Sequence, residues 1–167
     1  VGAPKHAAKA VELGADIVTV QGAEGGGHTG SVPTTLLLPK VLDAVRVPVV
    51  AAGGFFDGRG LAAALAYGAA GIAMGTRFLM SAESPVPRET LERYVAVGDP
   101  ARIRVSDALD GLPQRMIDNP HLLKHERFRP PGRSWFALKT AEAVEPQQAR
   151  AVPDTPLRAY DTGTKSA

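Results

Sequence analysis

Three short apolar runs, Ile17-Val18-Thr19-Val20, Val47-Pro48-Val49-Val50-Ala51-Ala52 and Ala70-Gly71-Ile72-Ala73-Met74, each break into glycine, and segments of helical spacing separate them. A short continuous apolar run is the pattern of a parallel strand buried on both faces. Parallel neighbours need a crossover long enough to hold a helix. The spacing predicts helices from Pro4 to about Leu13, ended by Gly14, and from Leu36 to Val45. A third helix starts at an Asp57 cap, passes Leu61, Ala64 and Leu65 to Tyr67, and closes at Gly68. Right-handed strand-helix units in this order build either an open doubly wound sheet or a (β/α)8 barrel. A dinucleotide fold gathers its phosphate-binding glycines at its first strand, whereas a barrel often forms its phosphate site after its last two. Here Gly53-Gly54 and Gly75 follow the last two runs, so the expected fold is α/β, a (β/α)8 barrel.

The loop Gln21-Gly22-Ala23-Glu24-Gly25-Gly26-Gly27-His28-Thr29-Gly30 runs on to Pro33, well beyond the usual length of about 2 to 6 residues for a strand-helix connection. Long loops in compact domains are usually functional, and this one carries a histidine, a group that exchanges protons near neutral pH. Glu24 is expected to cap backbone or face solvent, and Asp57 to cap its helix and nothing more. Arg77 fits an anion contact and packing on the barrel rim equally well. His6, His121 and His125 are assigned no chemistry, and no metal is expected.

Composition narrows the classes. The chain has 167 residues, 44% hydrophobic and 22% charged, which is ordinary for a globular protein with its own core. Net charge is only +2 and the 19 Lys and Arg are spread along the chain, which argues against nucleic acid. No run approaches the roughly 18 apolar residues of a membrane span. There are no cysteines, which excludes disulfides, thiolate metal sites and a cysteine nucleophile and fits a cytoplasmic location. Val1-Gly2 looks like the tail of a strand, and a chain that starts there is expected to be the later part of a longer protein.

The pattern changes after Leu79. Expected there are a helix from Arg88 to Val97, a short strand from Arg102 to Val105, and a turn from Gly111 to Asn119 leading into a short helix. Arg127 to Arg133 is basic and Pro-rich. The expected organisation is residues 1–82 as the second half of a barrel, 83–145 as an extension packed on it, with Trp135 and Phe136 near its mouth or anchoring the tail, and 146–167 as a disordered tail.

The motifs Gly25-Gly26-Gly27-His28-Thr29-Gly30, Val49-Val50-Ala51-Ala52-Gly53-Gly54-Phe55-Phe56-Asp57-Gly58-Arg59-Gly60 and Met74-Gly75-Thr76-Arg77-Phe78, in this order, resemble the nitronate monooxygenase family, formerly called 2-nitropropane dioxygenases. The resemblance covers Val1 to Ala82 and extends to about Asn119. It implies an FMN-dependent (β/α)8 barrel, of which this chain would hold about the last four strands. Gly53 and Gly54 would offer N–H groups to the FMN phosphate, Gly75 and Thr76 would grip its other side, and Gly26 and Gly27 would lie along the cofactor. Gln21 would face the ribityl chain or ring, although some relatives hold a carboxylate there. A lysine that many members carry would fall before Val1. His28 would be the base that deprotonates a nitroalkane ahead of flavin reduction and reaction with O₂. The resemblance also admits FMN-dependent reductases or dehydrogenases of acyl thioesters, which share the Gly-Gly-His motif, and a non-catalytic barrel remnant. The implied partners are a nitronate or acyl thioester, O₂ and a second copy in a homodimer.

Half a barrel leaves two strand edges and an inner face uncovered. The 167-residue polypeptide expressed alone is therefore expected to be incompletely folded or to self-associate, with a broad unfolding transition or a sedimentation coefficient that rises with concentration. A sharp, concentration-independent unfolding transition at the sedimentation of a monomer would contradict this.

Overall fold

The computed structural model describes residues 1–109 and 111–127. The Pro-rich stretch after Arg127, Trp135, Phe136 and the segment from 146 onward lie outside the described residues. The chain opens with α1 (Pro4–Glu12) and β1 (Val18–Gln21), followed by a loop that contains β2 (Gly27–His28). Then come α2 (Thr34–Ala44), β3 (Val49–Ala52), α3 (Gly58–Tyr67), β4 (Gly71–Ala73) and the single turn α4 (Thr76–Leu79). The helices and apolar runs foreseen in this part of the chain are all present.

Strands β1, β3 and β4 form a parallel sheet in that order. Val20 stands beside Ala51, and Ala51 beside Ile72. Val1 extends the sheet on the other edge of β1: its amine donates to the Thr19 carbonyl at 2.6 Å, and its carbonyl accepts from the Gln21 amide at 2.9 Å. Bonds to residues either side of Val20 follow the parallel-ladder pattern.

Alternation along the strands splits the sheet into two faces. Val18, Val20, Val49 and Ala51 are buried against Ala7 of α1, Leu37, Leu38 and Val41 of α2, and Ala64 of α3. The other face carries Thr19, Gln21, Val50 and Ala52, with Thr19 exposed and the rest half-buried. Helices cover one face only, as on the outside of a barrel wall. Among the described residues no helix is long and apolar enough to cross a membrane.

Beyond α4 the chain forms α5 (Arg88–Val95), a 3-10 turn (Pro100–Arg102), β5 (Ile103–Ser106), β6 (Gln114–Ile117) and α6 (Pro120–Arg127). This corrects the expected turn-into-helix over Gly111 to Asn119: residues 114–117 are a strand, and the helix starts only at Pro120. Gln114-Arg115-Met116-Ile117 has neither apolar alternation nor helical spacing, so its state follows from pairing. β6 is the middle strand of an antiparallel sheet in the order β2, β6, β5, bonded on both edges.

Helix caps fix the loops that leave the first sheet. Asp57 caps α3, accepting from the amides of Arg59 at 3.0 Å and Gly60 at 3.3 Å, and Gly68 closes it at φ 101°. The start of α2 is capped from a distance, because Pro33 supplies no side-chain cap. Glu24 Oε2 accepts from the Thr34 amide at 2.9 Å and from its hydroxyl at 2.7 Å. A carboxylate there also meets the positive end of the helix dipole. Of the two roles expected of Glu24, capping backbone or facing solvent, the structure shows the first, and it pins the Gly-rich loop to α2.

Burial works against the ionised form of Glu24, but the Thr34 hydroxyl and amide, its own amide and the Arg115 charge outweigh it, so the carboxyl lies below its ordinary 4.5. A depressed native value gives stability that is present above the ordinary value and is lost as pH falls through the native one. Glu24→Gln is therefore expected to be less stable than the parent near neutrality, with the gap closing on acidification. Urea unfolding of both proteins from about pH 6 to about pH 3 checks this, and a gap constant with pH would remove the carboxylate charge from the account.

Candidate functional site

In a parallel sheet the strands end at one side, so the loops after β1, β3 and β4 meet there. Glycine makes the meeting possible. A Cβ on Gly22 would overlap Thr34, and one on Gly25 would overlap the Gln21 side chain. A Cβ on Gly53 would stand 3.0 Å from the Gly25 nitrogen, and one on Gly54 3.2 Å from Glu24 Cβ. Both residues also hold positive φ, at 97° and 81°, a region that favours glycine. Thr34 Oγ1 reaches the Gly53 carbonyl at 3.2 Å. The histidine loop and the Gly53-Gly54 turn are thus packed together, with Glu24 and Thr34 between them.

Gly75 differs from these. Its φ is −83°, which any residue adopts, and a Cβ there would meet nothing within 4 Å. Neither packing against the described residues nor conformation requires glycine at this position. Thr76 lies beside Gly26, whose Cβ would stand 3.8 Å from Thr76 Oγ1. The amides of Gly53, Gly54 and Gly75 donate to no backbone acceptor among the described residues. Open N–H groups at glycines that permit close approach form a cradle for an anion. The residues present therefore fit a phosphate such as that of FMN. Arg77 is exposed on α4. Hydrogen bonds from Arg59 and the Gly60 amide, and last the charge of Arg77, hold the Asp57 carboxyl low.

His28 sits in β2, exposed, on the wall of an open cleft of about 380 Å³ between Val1-Gly2, Gln21, Thr29-Gly30 and Leu112-Pro113. Gln21 Nε2 donates to the His28 carbonyl at 2.8 Å. Gln21, expected beside the flavin, is thus also the residue that orders the histidine backbone. Thr29 ties the loop base, its hydroxyl donating to the Gly22 carbonyl at 3.2 Å and its amide to the Pro113 carbonyl at 2.9 Å. Gly27 takes φ 70° immediately before His28. The structure therefore gathers Gln21 and His28 at the cleft, sets Gly27 immediately before His28, and places Gly26 beside Thr76.

Four residues of this region were not singled out as site residues in the sequence. Thr34 carried a local signal, a threonine opening a helix. Leu112, Pro113 and Arg115 carried none, since Arg115 bonds the Ala23 carbonyl 92 residues away. Among the described residues no group of three His, Cys, Asp or Glu side chains could hold a metal.

Known proteins resemble this chain along most of its length. The sequence profile of the family described as nitronate monooxygenase matches residues 1–160. The (3aS,4S,5R,7aS)-5-hydroxy-7a-methyl-1-oxo-octahydro-1H-indene-4-carboxyl-CoA dehydrogenase of Rhodococcus jostii is 64% identical over 118 residues, covering 71% of this chain and 33% of that protein. This chain spans only a third of that relative's length. FabK from Thermotoga maritima superposes with TM-score 0.76 at 38% identity, over 91% of this chain and 47% of FabK. A nitroalkane oxidase from Streptomyces ansochromogenes superposes with TM-score 0.71 at 35% identity, over 84% of this chain and 44% of that one. The parallel strands, their one-sided helices and the glycine junctions are part of a (β/α)8 barrel, and the chain belongs to the nitronate monooxygenase family.

Proposed function

We propose that this chain contributes part of the barrel and active site of a flavin-dependent oxidoreductase acting on an acyl thioester, with His28 as the base. The observation that carries the thioester is the 64% identity with a carboxyl-CoA dehydrogenase. A carbon next to a thioester carbonyl is acidified by that carbonyl. An imidazole on the cleft wall, its loop held by Gln21, can take the proton. The apolar Val1, Leu112 and Pro113 of the same cleft suit a hydrophobic acyl group.

FMN, when bound, supplies the two-electron acceptor. The amides of Gly53, Gly54 and Gly75 and the Thr76 hydroxyl would hold its phosphate, with Gly26 beside them and Gln21 and Gly27 toward the ring. The second reading, oxidation of a nitronate with O₂, is favoured by the family description and the nitroalkane oxidase likeness. It begins with the same act, since a nitro group acidifies its neighbouring carbon as a carbonyl does. His28 has one role in both.

The full-length protein is expected to lose its flavin absorbance anaerobically on addition of an acyl-CoA but not of a nitroalkane. The reverse result, with consumption of O₂ and nitroalkane, makes the nitronate reading correct. His28→Asn should keep the flavin and slow the reaction by about 10²- to 10⁴-fold, because asparagine bonds but accepts no proton. Unchanged rapid-mixing rates would make His28 structural.

Gly75→Val tests the phosphate cradle. The added Cβ meets no described atom within 4 Å, so the variant should fold, yet be colourless after purification. A full flavin complement would end the assignment. Gly54 serves less well, since substitution there strains the backbone and strikes Glu24 whether or not a ligand binds.

A further inference from the structure

The strand that carries His28 is two residues long, and both are exposed. A segment so short has no stability of its own, so its order comes from its neighbours. β6, outside the barrel units, supplies them: Gly27 pairs with Arg115 and His28 with Gln114. The Pro113 carbonyl accepts from the Thr29 amide at 2.9 Å. Arg115 does more than pair. Its Nε and Nη2 both donate to the Ala23 carbonyl, at 3.2 and 2.9 Å, on the opposite limb of the loop. One residue therefore ties both limbs, by its backbone at Gly27 and by its half-buried side chain at Ala23. Its charge also favours the ionised Glu24 that pins the loop to α2.

We infer that Arg115 is a positioning residue for His28, locking the histidine loop in the geometry that presents the imidazole to the cleft. This rests on the reading of His28 as the proton-transfer group. The guanidinium is suited to the task because its planar fork directs two N–H groups at one carbonyl, whereas a lysine is a point charge on a flexible stem. Removing the fork leaves the Ala23 carbonyl without this pair of donors and frees one limb of the loop from the other.

The test compares the full-length flavoprotein with Arg115→Ala and Arg115→Lys. Amide hydrogen exchange over residues 22–33 is expected to rise roughly tenfold or more in Arg115→Ala, with β1 and β3 unchanged and Arg115→Lys intermediate. Flavin content should not change. In rapid mixing with whichever substrate reduces the parent flavin, the limiting rate should fall roughly tenfold or more with little change in apparent substrate affinity. Loop exchange equal to the parent's, or exchange that rises equally throughout the chain, overturns the inference. So does a loss confined to substrate affinity. If Arg115→Ala does not fold, the lysine variant answers the same questions. A His28→Asn protein with full activity refutes the proton-transfer reading. An essential His28 combined with a loop that Arg115→Ala leaves protected refutes this inference alone.

Discussion

Parallel pairing of β1, β3 and β4 is the constraint on which everything else depends. Strands that run the same way deliver their following loops to the same end of the sheet, so three glycine junctions far apart in sequence become neighbours. Burial of Val18, Val20, Val49 and Ala51 against α1, α2 and α3 holds that arrangement. A one-residue slip in register would send these side chains to the other face and carry Gln21 and the loop with it.

Crowding at that end explains why so many of the loop residues are glycines. Gly22, Gly25, Gly53 and Gly54 each occupy a place where a side chain would strike a neighbour. Their function is to let two loops lie against each other, with the Glu24 carboxylate capping α2 from within the packed region. Gly26, Gly27, Gly30 and Gly75 are not crowded in this way.

The second sheet is small, yet it completes the cleft. β6 joins β5 on one side and the histidine strand on the other, and the Leu112-Pro113 turn before it forms a wall. A segment outside the barrel units therefore shapes the space beside His28. Variation in this hairpin is a means to alter what the cleft admits while the barrel wall stays the same.

The sequence by itself determined the strand-helix order, the caps at Asp57 and Gly68 and the loop that carries His28. Each of these is written in local signals: apolar runs, a short polar cap, a glycine after a helix, a histidine among glycines. Sequence leaves Glu24 between capping backbone and facing solvent, because Thr34 comes into reach only once the loop folds back on α2. Residues 114–117 differ from the sequence expectation for a related reason: Gln114-Arg115-Met116-Ile117 has little strand character, and two flanking strands impose it. Only the tertiary structure decided that Leu112, Pro113 and Arg115 belong at the site, since a contact spanning 92 residues leaves no periodicity or local motif to mark it. Local propensity is set by neighbours in sequence, whereas the walls and braces of the cleft are set by neighbours in space.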